Sequence, residues 1–479
     1  MRVMSFINKR SSHFLFLFFL PFCLGCNKLV HIPNPISSIT ANQTFGSDAT
    51  ATSAMLGIYS YMGNPNQPSF SNYTTSFYLG ESADELIDEA SGNETYDHFL
   101  SNTLTTSTNA GTILNYFWQP AYYDIYCANA IISGVQASTG VSAGTKAQLT
   151  GEAKFIRAFC YFYLTNLFRD IPLVLTTDFN QTVLLAKTPQ AKIYQQIISD
   201  LQDAAALMIS DFSLSGGQPI RANKWAAKAL LARVYLFQKN WTGADSAATE
   251  VINSGQFSLL DSLSINQVFL ANSQEAILQL QTPDVYPYST AEGNYFNFNN
   301  VNVWITPQLM NAFEPNDLRR AYWVDTTYAA YSYYFPNKYQ SSSYTASQGN
   351  VTENYNLLRL AEQYLIRAEA EANGAGGGTG ASLTDLNVIR HRAGLPNLSD
   401  SIPGFSLMAA VQQEWRIEFF AEWGHRWLDL KRWGNALQTL DSITYKMGNI
   451  DSSQLLYPIS SVELRTDPNL VQNPGYGSN

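Results

Sequence analysis

The chain has 479 residues, with 28 Lys+Arg against 38 Asp+Glu, 14% charged and 13% aromatic side chains. The net charge of −10 argues against nucleic acid or anionic headgroups as partners, because both need a basic surface. Hydrophobic residues make up 46%, ample for a sizeable core, and 28 Tyr with 9 Trp are more amphipathic rings than a core needs, which suits sugars or peptides.

The first element is a leader. Arg2, Lys9 and Arg10 precede the apolar run Phe14 to Leu24, with no acidic residue before it. That run of 11 residues is too short for a bilayer, which takes about 20. Residues 1–25 therefore read as a cleaved secretory signal, cut between Gly25 and Cys26. Cys26 is either an ordinary cysteine near a cleavage site or the lipidated first residue of a bacterial lipobox. Cys23 stands where that motif usually has an aliphatic residue. Lipid on Cys26 would anchor the chain without a spanning helix, given more than one acyl chain at about 0.8 kcal/mol per buried CH₂. No later stretch holds 18 consecutive apolar residues. Without residues 1–25 the balance is 25 Lys+Arg (28 less three) against 38 Asp+Glu, a charge of −13.

Residues 26–44 carry Pro and Ser without periodicity and read as a tether. Residues 45–479 then form a single domain, with halves at about 45–215 and 216–479. A helix is predicted from Asp48, as N-cap, to about Met62. Residues 63–80, with Gly, Pro and Asn among aromatics, read as a loop. Residues 112–134 read as a helix interrupted near Pro120. In GEAKFIRAFCYFYLTNLFRDIPLV, Ile156, Cys160, Tyr163 and Leu167 make one apolar face, ending before Pro172; residues 190–209 form a further helix. Trp225, Ala229, Ala232 and Leu236, then Ala244, Ala248, Val251 and Ile252, give two stripes closed by Gly255, as in a tetratricopeptide-type hairpin. Leu358, Ala361, Leu365, Ala368 and Ala372, the Gly-rich connector 374–380, and Leu383, Leu386, Ile389 and Ala393 give a second. Between the pairs, residues 256–350 read as loop-rich, with strand-like EAILQLQ at 275–281.

Cofactor and metal signals are lacking. Cys127 and Cys160 make no metal spacing, and the five histidines show no His-x-x-x-His pattern. The connector GAGGGTG has no P-loop Lys-Ser/Thr. The densest charge is EWRIEFFAEWGHRWLDLKRWG, residues 414–434. Glu414, Glu418 and Glu422, four apart, are expected on one helix face, where like charges repel and call for cations. Arg416, Arg426, Arg432 and the arginines at 367, 390 and 392 are candidates, with Asp429 a further acceptor. This pattern reads as a structural ion network. Its alternatives are a metal or partner contact, or a carboxylate pair for glycoside hydrolysis. ESADELID, residues 81–88, reads as a solvated turn and helix start, with calcium as an alternative.

Taken in order, GEAKFIRAFCYFYLTNLFRDIPLV, RANKWAAKALLARVYLFQKNW, YLIRAEAEA with LNVIRHRAGL, EWRIEFFAEWGHRWLDLKRWG and LYPISSVELRTDPNLVQNPGY resemble the SusD/RagB family of nutrient-uptake outer-membrane lipoproteins, from Cys26 to Tyr476. The resemblance implies a mainly α fold of tetratricopeptide-type hairpins in a right-handed scaffold, with loops carrying the ligand site. It implies lipid on Cys26, the outer membrane facing outside, no cofactor and no bond chemistry. The partners it implies are a SusC-like TonB-dependent β-barrel transporter and an oligosaccharide or, in some members, a peptide. Family ligand residues vary, so the candidates here come from aromatic density in predicted loops: Tyr73, Tyr78, Trp304, Tyr331, Tyr333 and Tyr334. Two other classes stay open, a surface-anchored glycan hydrolase and a helical scaffold that binds only proteins.

Overall fold

Ser47, Asn72, Ser142 and Asn223 stand in extended backbone, and their side chains accept from N–H groups two or three residues on. Each removes an orphan donor and starts a helix. The computed structural model describes residues 40–66, 69–88, 94–106, 108–283, 289–296, 303–326, 333–341, 352–399, 404–448 and 450–477. The predicted leader, Cys26, most of the tether and Tyr331 lie outside these residues.

The helices are α1 (Ala41–Thr44), α2 (Asp48–Met62), α3 (Tyr73–Ser82), α4 (Glu94–Leu100), α5 (Thr108–Ala137), α6 (Ala143–Phe168), α7 (Phe179–Thr182), α8 (Gln190–Leu207), α9 (Lys224–Phe237) and α10 (Trp241–Ile252). Then come α11 (Ala291–Phe296), α12 (Pro307–Met310), α13 (Leu318–Trp323), α14 (Leu360–Ala372), α15 (Gly378–Arg392), α16 (Gly404–Glu418) and α17 (His425–Trp433). Packing follows the chain: α5 on α6, α6 on α8, α8 on α9, α9 on α10, α10 on α14 and α14 on α15. This is the stacking of helical hairpins, each burying its neighbour's apolar stripe. Cys160, Ala232, Ala248, Leu365 and Ala368 are wholly buried in it. The strands are β1 (Leu86–Asp88), β2 (Ala276–Leu280), β3 (Val303–Ile305), β4 (Val324–Thr326), β5 (Tyr334–Pro336) and β6 (Tyr355–Arg359), paired antiparallel as β1–β3, β2–β6 and β4–β5. Among the described residues no helix is long and apolar enough to cross a membrane.

Several local expectations change. Ser47, not Asp48, caps α2; the Asp48 carboxylate instead accepts from Ser142 N at 2.6 Å and Ser142 Oγ at 2.7 Å, joining two helix starts. The predicted loop at 63–80 ends in α3. Helix α5 runs unbroken through Pro120: burial of Phe117, Trp118, Ala121 and Ile125 on either side outweighs the hydrogen bond that proline removes. Leu358 belongs to β6 rather than to the following helix. Residues 41–44 of the expected tether form a helical turn.

Candidate functional site

Trp304 sits in the middle of β3, opposite Ile87 of β1. Its ring lies on that of Tyr333, with centroids 3.7 Å apart and planes 7° apart. Both are half-buried, and Tyr334 follows on β5, also half-buried. Two expected aromatics, Trp304 and Tyr333, therefore meet as a shelf, while Tyr334 packs against the core. Trp304 Nε1 has no acceptor among the described residues. Tyr73 stands apart from this stack, paired with Tyr295 at 4.1 Å and 16°. Tyr78 is no ligand candidate. Its position in α3 turns it into the core, 2% exposed, against Phe77, Phe99 and Phe117.

Both strands of the shelf are fastened to the 414–434 segment. On the β3 side, Thr306 Oγ1 donates to Asp84 O at 2.6 Å and Thr306 N to Glu85 O at 2.9 Å. The Asp84 carboxylate accepts from Arg416 at 2.6 Å and from Arg426 at 2.6 and 3.1 Å, and Glu85 accepts from Ala421 N at 3.1 Å. ESADELID is therefore a buried anchor, not a solvated turn: Glu81, Asp84, Glu85 and Asp88 are all buried. Burial pushes the Asp84 carboxyl up, but Arg426 and Arg416 outweigh it and hold it below the usual range. Glu85 has no ion pair among the described residues, and burial raises it to about 8. On the β5 side, Lys338 Nζ donates to Glu422 at 2.5 Å and to Glu418 O at 3.0 Å, and lies 4.1 Å from the Phe420 ring centre.

The three glutamates do not share one helix face. Helix α16 ends at Glu418, and Ala421, Trp423 and Gly424 have φ of 50°, 48° and 66°, so the chain reverses before Glu422 could continue the stripe. The carboxylates meet again through cations. Glu414 binds Arg319 and Arg390, each at 2.8 Å. Glu418 binds Arg359, Arg392 and, at 3.3 Å, Arg319. Glu422 accepts from Arg359 at 2.8 and 2.9 Å. Burial would raise Glu418, but Arg392, Arg359 and Arg319 hold it far below the usual carboxylate range. Arg432 pairs with Asp429 at 2.7 Å and with Glu369. Arg367 lies outside this set, on Asp385. The pairings of Arg319, Lys338, Arg359 and Asp84 are not legible in the sequence, since nothing local marks a partner so far along the chain. With every carboxylate of the trio held by cations, none stands free as an acid or base.

The rest of ESADELID closes on a lysine. Lys446 Nζ reaches Glu81 O at 2.7 Å, Ser82 O at 3.2 Å, Leu100 O at 2.6 Å and Asn102 Oδ1 at 2.7 Å. Burial pushes its ammonium down to about 7; the cage opposes this, because a neutral amine would offer two N–H groups to four oxygens. Among the described residues no group of three His, Cys, Asp or Glu could hold a metal ion.

The sequence profile of the SusD family matches residues 321–476. A second profile, described as starch-binding associating with outer membrane, matches residues 51–236. A SusD-like protein of Formosa agariphila is 24% identical, covering 96% of this chain and 98% of that one. The starch-binding protein SusD of Bacteroides thetaiotaomicron is 33% identical over 25% of this chain and 21% of its own. Among solved structures, a SusD superfamily protein from Bacteroides vulgatus has a TM-score of 0.75 at 23% identity, over 90% of this chain and 100% of that one. A laminarin binding SusD-like protein has a TM-score of 0.73 at 22% identity, over 90% and 100%. These likenesses carry the mainly helical fold.

Proposed function

Because the chain belongs to the SusD family, we propose that it is a lipid-anchored surface protein that binds an oligosaccharide and passes it to a TonB-dependent outer-membrane barrel, with no bond chemistry of its own. The names of two similar proteins, one starch-binding and one laminarin binding, support a glycan over a peptide. The observation that carries the reading is the Trp304–Tyr333 shelf. Aromatic faces stack on the apolar CH face of a sugar ring while surrounding polar groups fix its orientation. A shelf fastened on both strands to a buried ion network is pre-organised, which lowers the ordering cost of binding.

Titration calorimetry of the mature protein against starch and laminarin oligosaccharides and a peptide mixture tests this. Heat with a glycan class, with affinity about tenfold weaker in Trp304→Ala, supports the reading. Heat with peptides alone replaces the ligand class, and release of reducing ends from the bound glycan would replace capture by hydrolysis. The anchor is tested separately. Cys26→Ala is expected to leave the membrane fraction or to stall in processing; normal membrane retention would remove the lipoprotein claim.

A further inference from the structure

The N-terminal helices carry a surface that departs from the rest of this acidic chain. From Ala49 to Gly80 there is no charged residue, and from Phe99 to Thr145 the only one is Asp124. Asp124 is wholly buried, its two oxygens have no hydrogen-bond partner among the described residues, and burial pushes its carboxyl well above the usual range. Exposed helix faces are normally charged. The outer stripe of α5 is instead Tyr123, Tyr126, Ala130 and Ser133, with Tyr123 50% and Tyr126 52% exposed, bounded at Gln119 by the Glu463 carboxylate, which accepts from the Gln119 amide at 2.9 Å. On neighbouring α2, Tyr61 meets Tyr123 at 4.8 Å between ring centres, and Leu56 is 43% exposed. Between the two helices lies an open apolar cleft of about 380 Å³, lined by Phe45, Ile58, Tyr123, Tyr126 and Ile131. Charge depletion with exposed tyrosine is the composition of an interface core, not of free surface.

We propose that the α2–α5 face is the docking surface for the membrane partner, an uncharged and apolar protein surface which, on the reading above, is the outer mouth of the barrel. Two observations choose this occupant. From Tyr123 to Ser133 the face carries no exposed charge, so its centre has nothing to offer a basic partner or charged headgroups. Helix α1, into which the predicted tether feeds at Ala41, lines the same cleft through Ala41, Thr44 and Phe45, so an anchored chain enters its folded part at this face. The inference rests on the transporter reading and is tested so that the two can fail apart.

The full-length tagged protein is purified in mild detergent from its native outer membrane. Wild type, and Leu263→Glu at a remote position 88% exposed, should retain a barrel in near-equal amount. Tyr123→Glu with Tyr126→Glu should retain at least tenfold less while melting and binding glycan as wild type does. If that variant fails to fold, Tyr123→Ser with Tyr126→Ser is used, with at least a fivefold loss expected. Barrel retained within twofold overturns the inference and leaves the uptake reading standing. Wild type without a barrel overturns both. A wild-type dimer that the tyrosine variant abolishes, with barrel retention unchanged, makes the face a self-interface and also overturns the inference.

Discussion

Around the reversal at 419–424, Arg319, Arg359, Arg392 and Lys338 are buried against Glu414, Glu418 and Glu422. At the contact of α2 with α5, Met55, Ala121, Ile125 and Ala128 close without an ion pair among the described residues. The C-terminal region spends its charges internally, whereas the α2–α5 contact holds only the buried Asp124. Paired charges in a low-dielectric interior add little net stability, because desolvation offsets attraction, but they penalise any other arrangement. Such a network fits a region that must hold a shelf in one geometry. Apolar packing tolerates variation, and a neutral exterior leaves a surface ready to associate.

The contrast breaks most sharply at Glu418. Glu418→Ala would remove the carboxylate that three buried guanidinium groups share, leaving Arg359 to Glu422, Arg319 to Glu414 and Arg392 to Glu275, and is expected to lower unfolding free energy by about 3–5 kcal/mol in a denaturant titration; a loss below about 1 kcal/mol would mean the network is slack. Next is acidity. Glu85 and Glu292 are both raised by burial to about 8 from 4.5, so their contribution is fully present below about pH 4.5 and fades as pH rises through about 8. Glu418 has the opposite sign, its contribution being lost as pH falls below 4.5. Glu292→Gln, which keeps an acceptor for the Tyr355 hydroxyl at 2.7 Å, should flatten the decline in melting temperature between pH 5 and 8. An unchanged slope would assign that decline elsewhere. Trp304→Ala should weaken glycan binding about tenfold, or about 1.4 kcal/mol, with melting nearly unchanged; an equal loss from Tyr73→Ala would move the site to the Tyr73–Tyr295 stack. The smallest effect is on the surface. Lys154→Ala, removing a partly exposed pair with Asp203, should change stability by about 0.5 kcal/mol or less.

How much of this is legible in the sequence follows from the range of each interaction. The stripe Ile156, Cys160, Tyr163 and Leu167 is a local period, and so are the hairpin stripes ending in Leu236 and Ala372; each marks its helix directly. Arg390 and Arg392 could be named as cations because they lie in the hairpin just before the glutamates. Asp84 could not, because its partners Arg416 and Arg426 come more than three hundred residues later. Glu422 reads as helical because Ala421 and Trp423, the residues that reverse the chain, are ordinary helix residues and only Gly424 hints at the turn. Tyr73 and Tyr78 share α3 five residues apart, and the sequence does not tell which of them faces inward. Among Trp304, Tyr333 and Tyr334, aromatic density in a loop-rich span found the neighbourhood but not the stack.

The lysine held by Glu81, Ser82, Leu100 and Asn102 closes the corner where calcium was an alternative. Ions bound from solution come and go with their concentration, and chelators remove them. A lysine built into the chain cannot dissociate or be chelated away. This corner of the scaffold should keep its shape whether the medium is rich in divalent ions or stripped of them.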